Sequence, residues 1–173
     1  MIHIVDDIFP EHLLKQFSST INRSTAPFVS GYASKEGEGF FDWEEQHPHK
    51  AMCRTILEKA SHYENIPSDV LGYEYWTHVN TKPNDMHQDK DEVAYLKHGI
   101  SRFPLFSTVF YLEVEKLING ELVFEDGVEI IPKTNRLVIF KKGLQHRVRT
   151  FDGHRVSIAV NPWGTKLYKL EAQ

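Results

Sequence analysis

A chain of 173 residues, 40% hydrophobic and 25% charged, is long enough to bury one core without staples and has the balance of an ordinary globular protein. A net charge of -4 recruits neither nucleic acid nor an anionic membrane surface, and a single cysteine, Cys53, excludes an intrachain disulfide framework and suits a reducing compartment. No apolar run approaches the roughly 18 residues of a membrane helix, and Asp6 and Asp7 stand where a signal peptide carries positive charge. The expectation is one cytoplasmic domain over 1–173, with no membrane contact and no nucleic-acid partner.

The chain opens with a short predicted strand, Ile2 to Val5, and then a helix. Pro10 fits the first helical turn, where its missing N–H costs nothing, and Leu13, Leu14, Phe17 and Ile21 form the apolar stripe. From Ser30 to His49 the sequence is irregular, with Gly31, Gly37 and Gly39 among Phe40, Phe41, Trp43 and acids, and reads as a lid loop. A second helix follows at about Pro48 to Tyr63, with Met52, Ile56, Leu57 and Ala60 on one side.

After Pro67 short segments rich in Val, Ile, Phe, Tyr and Thr predict strands near 71–80, 106–114, 121–125, 128–131, 136–141, 144–150 and 155–163. Helices first, then strands with no helix between them, argue against a parallel sheet. The expected architecture is mainly β: an antiparallel sandwich or jelly-roll barrel over 67–173, braced by amino-terminal helices and the lid within 1–66. Ten histidines punctuate the chain; His12, His47, His49, His62 and His98 sit among polar residues and are expected to face solvent.

Two segments carry chemistry. His87-Gln88-Asp89 is the only His-x-Asp, and in extended backbone residues i and i+2 project to one face, so imidazole and carboxylate reach one ion. Chance alone gives on the order of half such a pair in a chain of this composition, so it is weak by itself. His146, inside a predicted strand, supplies a third ligand, and two histidines with one carboxylate leave open positions in the pattern of non-haem iron sites.

In the last strand Arg155, Ser157, Ala159 and Asn161 share one face, and Val156, Ile158 and Val160 the other. A core-facing arginine requires a partner, and its planar fork suits a carboxylate, such as the one 2-oxoglutarate carries away from its keto-acid end; Ser157 can add a hydroxyl bond. A surface ion pair with Asp152 or Glu113 is the alternative. Asp152-Gly153 is a tight-turn signal that makes the strands of His146 and Arg155 a hairpin or close neighbours.

These stretches, with Ser107 to Leu112, Asn119 to Phe124 and Leu137 to Phe140 between them, resemble in order the Fe(II)/2-oxoglutarate dioxygenase superfamily, prolyl-hydroxylase-like branch. The resemblance covers about half the chain, from residue 70 onward. It implies a double-stranded β-helix, an iron triad of His87, Asp89 and His146, and Arg155 on the distal carboxylate of the co-substrate. It also makes Tyr75 and Tyr111 candidates for contact with 2-oxoglutarate, in a register the sequence leaves open. Asn119-Gly120-Glu121-Leu122 departs from the family's Gly-Gly-Glu-Thr turn, and Lys90-Asp91-Glu92 is an acidic extension without an evident purpose.

The implied activity is hydroxylation of an unactivated C–H bond, in a prolyl residue of a peptide or in a small metabolite, with O2 consumed and ascorbate an open addition to Fe(II) and 2-oxoglutarate. Rival readings are a cupin-like metalloprotein or isomerase without 2-oxoglutarate chemistry, and a non-catalytic β-sandwich binding module. A nucleic-acid demethylase is disfavoured by the acidic balance. The segments 30–48 and 90–104 are the expected rims, and the basic run Lys133, Arg136, Lys141, Lys142, Arg147 and Arg149 reads as a solvated outer face.

Overall fold

Strand β1 (Ile2–Val5) does not stand alone as amino-terminal decoration: it pairs antiparallel with β7 (Arg136–Lys141), Ile2 opposite Phe140 and Val5 opposite Leu137. The computed structural model describes residues 1–21, 28–34, 48–81, 83 and 85–168. Helix α1 (Glu11–Thr20) follows, with Pro10 one position outside it as the extended cap residue, φ -68° and ψ 154°, its carbonyl accepting the Leu13 N–H at 3.0 Å. The stripe behaves as its spacing requires: Phe17 and Ile21 are buried, and Phe17 meets Phe9 edge-to-face at 5.4 Å.

A strand the sequence did not announce, β2 (Phe28–Ser34), lines up antiparallel along β3 (Gly72–Val79), from Phe28 opposite His78 to Ser34 opposite Gly72. Its Ser- and Gly-containing stretch carries little strand signal of its own. The body of the expected lid, 35–47, lies outside the described residues. Helix α2 (Pro48–Ala60) buries Met52, Cys53, Ile56, Leu57 and Ala60 completely. Truncating an Ile or Leu there costs about 2–5 kcal/mol in lost transfer and cavity energy.

Between β3 and β4 (Phe106–Asn119) sits a short helix, α3 (Glu92–His98), where the sequence reading expected none. It explains the acidic extension. Asp91 is the N-cap, accepting the Ala94 N–H at 3.0 Å, and its other oxygen accepts the Tyr168 N–H at 2.6 Å. Glu92 stands in the first turn, Lys97 and His98 in the last, and Gly99 closes the helix in the left-handed region. Seven residues with only Ala94 buried leave no apolar stripe to detect.

The remaining strands are β5 (Leu122–Phe124), β6 (Glu129–Ile130), β8 (His146–Val148) and β9 (Phe151–Trp163). They form two sheets, in the orders β1-β7-β4-β9-β3-β2 and β6-β5-β8. Alternation along β4 and β7 sorts the core into two layers. Phe110, Leu137, Ile139, Val156, Ile158 and Val160 pack with the helices, whereas Tyr111, Val138 and Phe140 meet Leu122, Phe124 and Ile130 of the small sheet.

The expected hairpin between the strands of His146 and Arg155 is not formed. β8 pairs with β5, and β9 with β3 and β4, so the chain changes sheets at Arg149 and Thr150. Asp152-Gly153 lies within β9, opposite a bulge in β4. At Gly153, φ is 107°, and a Cβ would stand 2.4 Å from the Lys116 carbonyl oxygen; the glycine serves a close backbone approach rather than a turn. The true corner is Asn119-Gly120, where both residues take positive φ, 62° and 86°.

Part of the basic run is neutralised locally. Lys133 and Arg136 both bind Asp6, at 3.0 and 2.6 Å, and Arg149 pairs with Glu129.

Candidate metal centre

His87 and His146 face each other across an antiparallel bridge: each backbone N–H donates to the other's carbonyl, at 3.0 and 2.8 Å. Backbone pairing therefore brings together two side chains 59 positions apart, with ring centroids 4.5 Å apart. The two imidazoles are oriented alike. His87 Nδ1 lies 2.8 Å from the Asp85 carbonyl and His146 Nδ1 3.0 Å from the Leu144 carbonyl. A carbonyl only accepts, so Nδ1 carries the proton and each Nε2 presents its lone pair.

Asp89 completes the cluster, with Oδ1 3.9 Å from His87 Nε2 and 3.8 Å from His146 Nε2. Two ligands held about 2.1 Å from one ion stand at most about 4.2 Å apart, so both separations are compatible with a shared cation. The other carboxylate oxygen, Oδ2, accepts the side-chain amide of Asn161 at 3.0 Å. Asn161 is fully buried and anchored in turn by the Thr108 N–H, which donates to its Oδ1 at 2.9 Å. Such partners fix the direction of a ligand. Its place on the Arg155 face was readable; its contact with Asp89 was not.

His146 is 6% exposed and packs against Phe140, 4.8 Å between ring centroids. Burial lowers its pKa, with Asp89 pulling the other way, so the ring is held in the neutral form a metal requires.

The same cavity, about 270 Å³ in volume, has Arg155, Tyr111 and Ser157 in its wall. Arg155 is 3% exposed, stacked 4.3 Å over the Phe151 ring, and its Nε and Nη1 have no hydrogen-bond partner among the described residues. It pairs with neither Asp152 nor Glu113; Glu113 takes His154 Nε2 at 2.7 Å instead. Burial lowers the Arg155 pKa. Tyr111 is fully buried, its hydroxyl without a partner among the described residues and its pKa pushed up to about 12 by burial, so it remains an O–H donor. A buried cation beside an unpartnered hydroxyl is costly without an anion. Arg155 and Tyr111 fit a carboxylate, and the triad fits a divalent ion with open positions.

Tyr75 is placed elsewhere. It pairs with Val160 and therefore lies on the helix-side face, 4.9 Å from the His49 ring, away from the cavity wall. His49, expected in solvent, is buried with its Nε2 3.1 Å from Thr77 Oγ1. The cavity face of β3 carries Trp76 and His78 instead. Neither was singled out from the sequence, although His78 sits directly across from Ser157. Its Nδ1 lies 2.9 Å from Thr81 Oγ1, and burial, assisted by the Arg155 charge, lowers its pKa to about 4.

No protein-family model and no curated protein matches the sequence. Solved structures do match in shape. A prolyl-4-hydroxylase from Pseudomonas putida superimposes with a TM-score of 0.63 at 15% identity, over 95% of this chain and 93% of that one. A prolyl hydroxylase from Trichoplax adhaerens, solved in complex with a peptide fragment of the hypoxia inducible factor oxygen degradation domain, gives 0.62 at 12% identity, over 99% and 87%. An oxidoreductase of the 2OG-Fe(II) oxygenase family from Burkholderia pseudomallei gives 0.60 at 13% identity, over 95% and 84%. Nearly the whole chain takes part in each superposition, and it has the double-stranded β-helix fold of these oxygenases.

Proposed function

We propose that the protein is an Fe(II)- and 2-oxoglutarate-dependent oxygenase, the whole chain acting as one domain, that hydroxylates an unactivated C–H bond of a prolyl residue or a small metabolite. The observation that carries this reading is the conjunction, in one cavity, of a two-histidine, one-carboxylate cluster and a buried arginine whose Nε and Nη1 find no acceptor among the described residues. A cupin-like metalloprotein accounts for the first and leaves Arg155 unexplained.

His87, Asp89 and His146 would hold the iron, and Arg155, with Tyr111 and Ser157, the distal carboxylate of 2-oxoglutarate. With both bound, the iron would supply the oxidation: one O2 and one 2-oxoglutarate would be consumed, succinate and CO2 released, and one substrate C–H converted to C–OH. The protein's own share is orientation, charge and exclusion of water. Asn161 fixes Asp89, the backbone carbonyls of Asp85 and Leu144 fix the imidazole tautomers, and Arg155 supplies an anion subsite. Val109, Leu122 and Val148 give the cavity apolar walls that keep water from the reacting bond.

No helix among the described residues is long and apolar enough to cross a membrane. A cytoplasmic location suits the single cysteine, which is buried.

The deciding assay is succinate release with Fe(II), 2-oxoglutarate and ascorbate as reductant, over prolyl peptides and free metabolites, with the product identified by mass. His87→Ala and Asp89→Ala are expected to abolish substrate-linked succinate while the fold persists. Full activity in both variants would refute the assignment.

A further inference from the structure

The cavity wall holds a second cation that neither the metal cluster nor the co-substrate carboxylate requires. Lys90 follows the triad residue Asp89, lines the same cavity, and has a side chain only 18% exposed. Its Nζ stands 3.7 Å from the centroid of the Tyr95 ring. A ring face steadies an ammonium electrostatically but accepts no conventional hydrogen bond. The nearest carboxylate oxygen, Glu92 Oε1, is 3.9 Å away, beyond hydrogen-bond range. Among the described residues, then, Lys90 is a ring-braced cation with a mostly covered stem, and its ammonium makes no hydrogen bond to a protein acceptor.

Glu92 lines the cavity too, with its side chain 59% exposed. The wall thus offers a cation and an anion side by side, held apart rather than closed on each other. Trp76 and Pro83 add flat, partly exposed apolar surface to the same cavity.

Resting on the oxygenase reading above, we propose that the substrate is a free α-amino acid, its carboxylate taken by Lys90 and its ammonium by Glu92. The exchange is favourable on simple grounds. One loose ion pair is replaced by two charge-assisted hydrogen bonds of complementary sign, while Arg155 remains engaged by the co-substrate. An internal peptide residue carries neither charge, and closing over it would leave Lys90 without an acceptor. Specificity for the zwitterion follows from the same unpaired groups.

The test uses the full chain loaded with Mn(II) and N-oxalylglycine, an unreactive stand-in for 2-oxoglutarate. Thermal shift is read against the free proteinogenic amino acids, their methyl esters and their N-acetyl derivatives. At least one free amino acid should raise the melting temperature, and its ester and its N-acetyl form should each bind about tenfold or more weakly. Lys90→Met, which keeps the stem and loses the charge, should weaken the acid by a similar factor and the ester no further; Lys90→Arg should retain binding. Glu92→Gln should behave likewise toward the ammonium and the N-acetyl form. Binding of no free amino acid, or equal binding of acid and ester, overturns the proposal. Equal weakening of acid and ester by Lys90→Met does so too, since it assigns Lys90 to packing alone. A wild-type protein that ignores N-oxalylglycine removes the oxygenase reading, and this inference with it. A response to N-oxalylglycine but to no amino acid removes the inference alone.

Discussion

Asn161 ties Asp89 to the large sheet: its amide donates to Asp89 Oδ2 at 3.0 Å while its carbonyl oxygen accepts the Thr108 N–H at 2.9 Å. The carboxylate is thereby left with one oxygen for its Asn161 contact and one, Oδ1, facing both histidines. Losing such an orienting partner weakens a metal about 10- to 100-fold. Asn161→Ala is expected to fall in that range for Mn(II), measured by titration calorimetry. It should also cost about 1–3 kcal/mol of stability in chelator, because the Thr108 N–H is left buried without an acceptor. A stable variant with wild-type Mn(II) affinity would remove Asn161 from the site.

His78 gives the metal-free protein an acid-sensitive stability. Its folded-state pKa is lowered from 6.5 to about 4, by burial first and then by the Arg155 charge. As pH falls through 6.5 the unfolded chain takes up a proton that the folded one refuses until about 4. The unfolded state binds more protons in that window, so the contribution is intact above it and is lost as pH drops across it. Burial shifts His146 in the same direction. Urea unfolding in chelator between these pH values should show the decline, and His78→Gln should lessen it by up to roughly 3 kcal/mol. Equal slopes in the two proteins would show that His78 titrates normally.

What the sequence disclosed, and what it withheld, divides along a physical line. The alternation Arg155, Ser157, Ala159 against Val156, Ile158, Val160 was legible because a strand repeats every two residues whatever its partner. The α2 stripe was legible for the same local reason. Pairing is not local. Nothing in His146 to Val148 states that it joins β5, and Asp152-Gly153 has the composition of a turn although a bulge in the neighbouring strand is what demands the glycine. Tyr75 shows how sharp the dependence is: one position along β3 separates the helix-side core from the cavity, where Trp76 stands. His49 looked solvated because its sequence neighbours are polar, but Tyr75 and Thr77 of β3 cover it.

Removing Arg155 should separate stability from binding. Truncating one partner of a buried charge pair costs 2 kcal/mol or more, so Arg155→Ala should weaken N-oxalylglycine on the Mn(II) protein at least about thirtyfold. Without that ligand the substitution deletes a buried, uncompensated charge. The unliganded variant should therefore be no less stable than the parent, and calorimetric melting in chelator reads the sign. Marked destabilisation with unchanged N-oxalylglycine binding would make Arg155 a structural residue.

Asn80 holds Arg155 from both sides of its backbone. Its N–H donates to the Arg155 carbonyl at 3.0 Å, and its Oδ1 accepts the Arg155 N–H at 2.8 Å. Asn80 Nδ2 reaches His154 Nδ1 at 3.2 Å, and His154 Nε2 donates to Glu113 Oε2 at 2.7 Å, where Ser18 of α1 donates to the other oxygen. The arginine is thus braced through a chain of side chains running from the cavity to the first helix. With φ at 49°, Asn80 occupies the left-handed region, so Asn80→Gly keeps the backbone unstrained and removes only the side-chain bonds. That variant should bind N-oxalylglycine roughly fivefold more weakly, as one neutral hydrogen bond of about 1 kcal/mol implies, with Mn(II) affinity unchanged. Asn80→Asp retains the acceptor for the Arg155 N–H and should recover most of the loss. If Asn80→Gly binds like the parent, or if it weakens the metal as much as the ligand, the brace does not position Arg155.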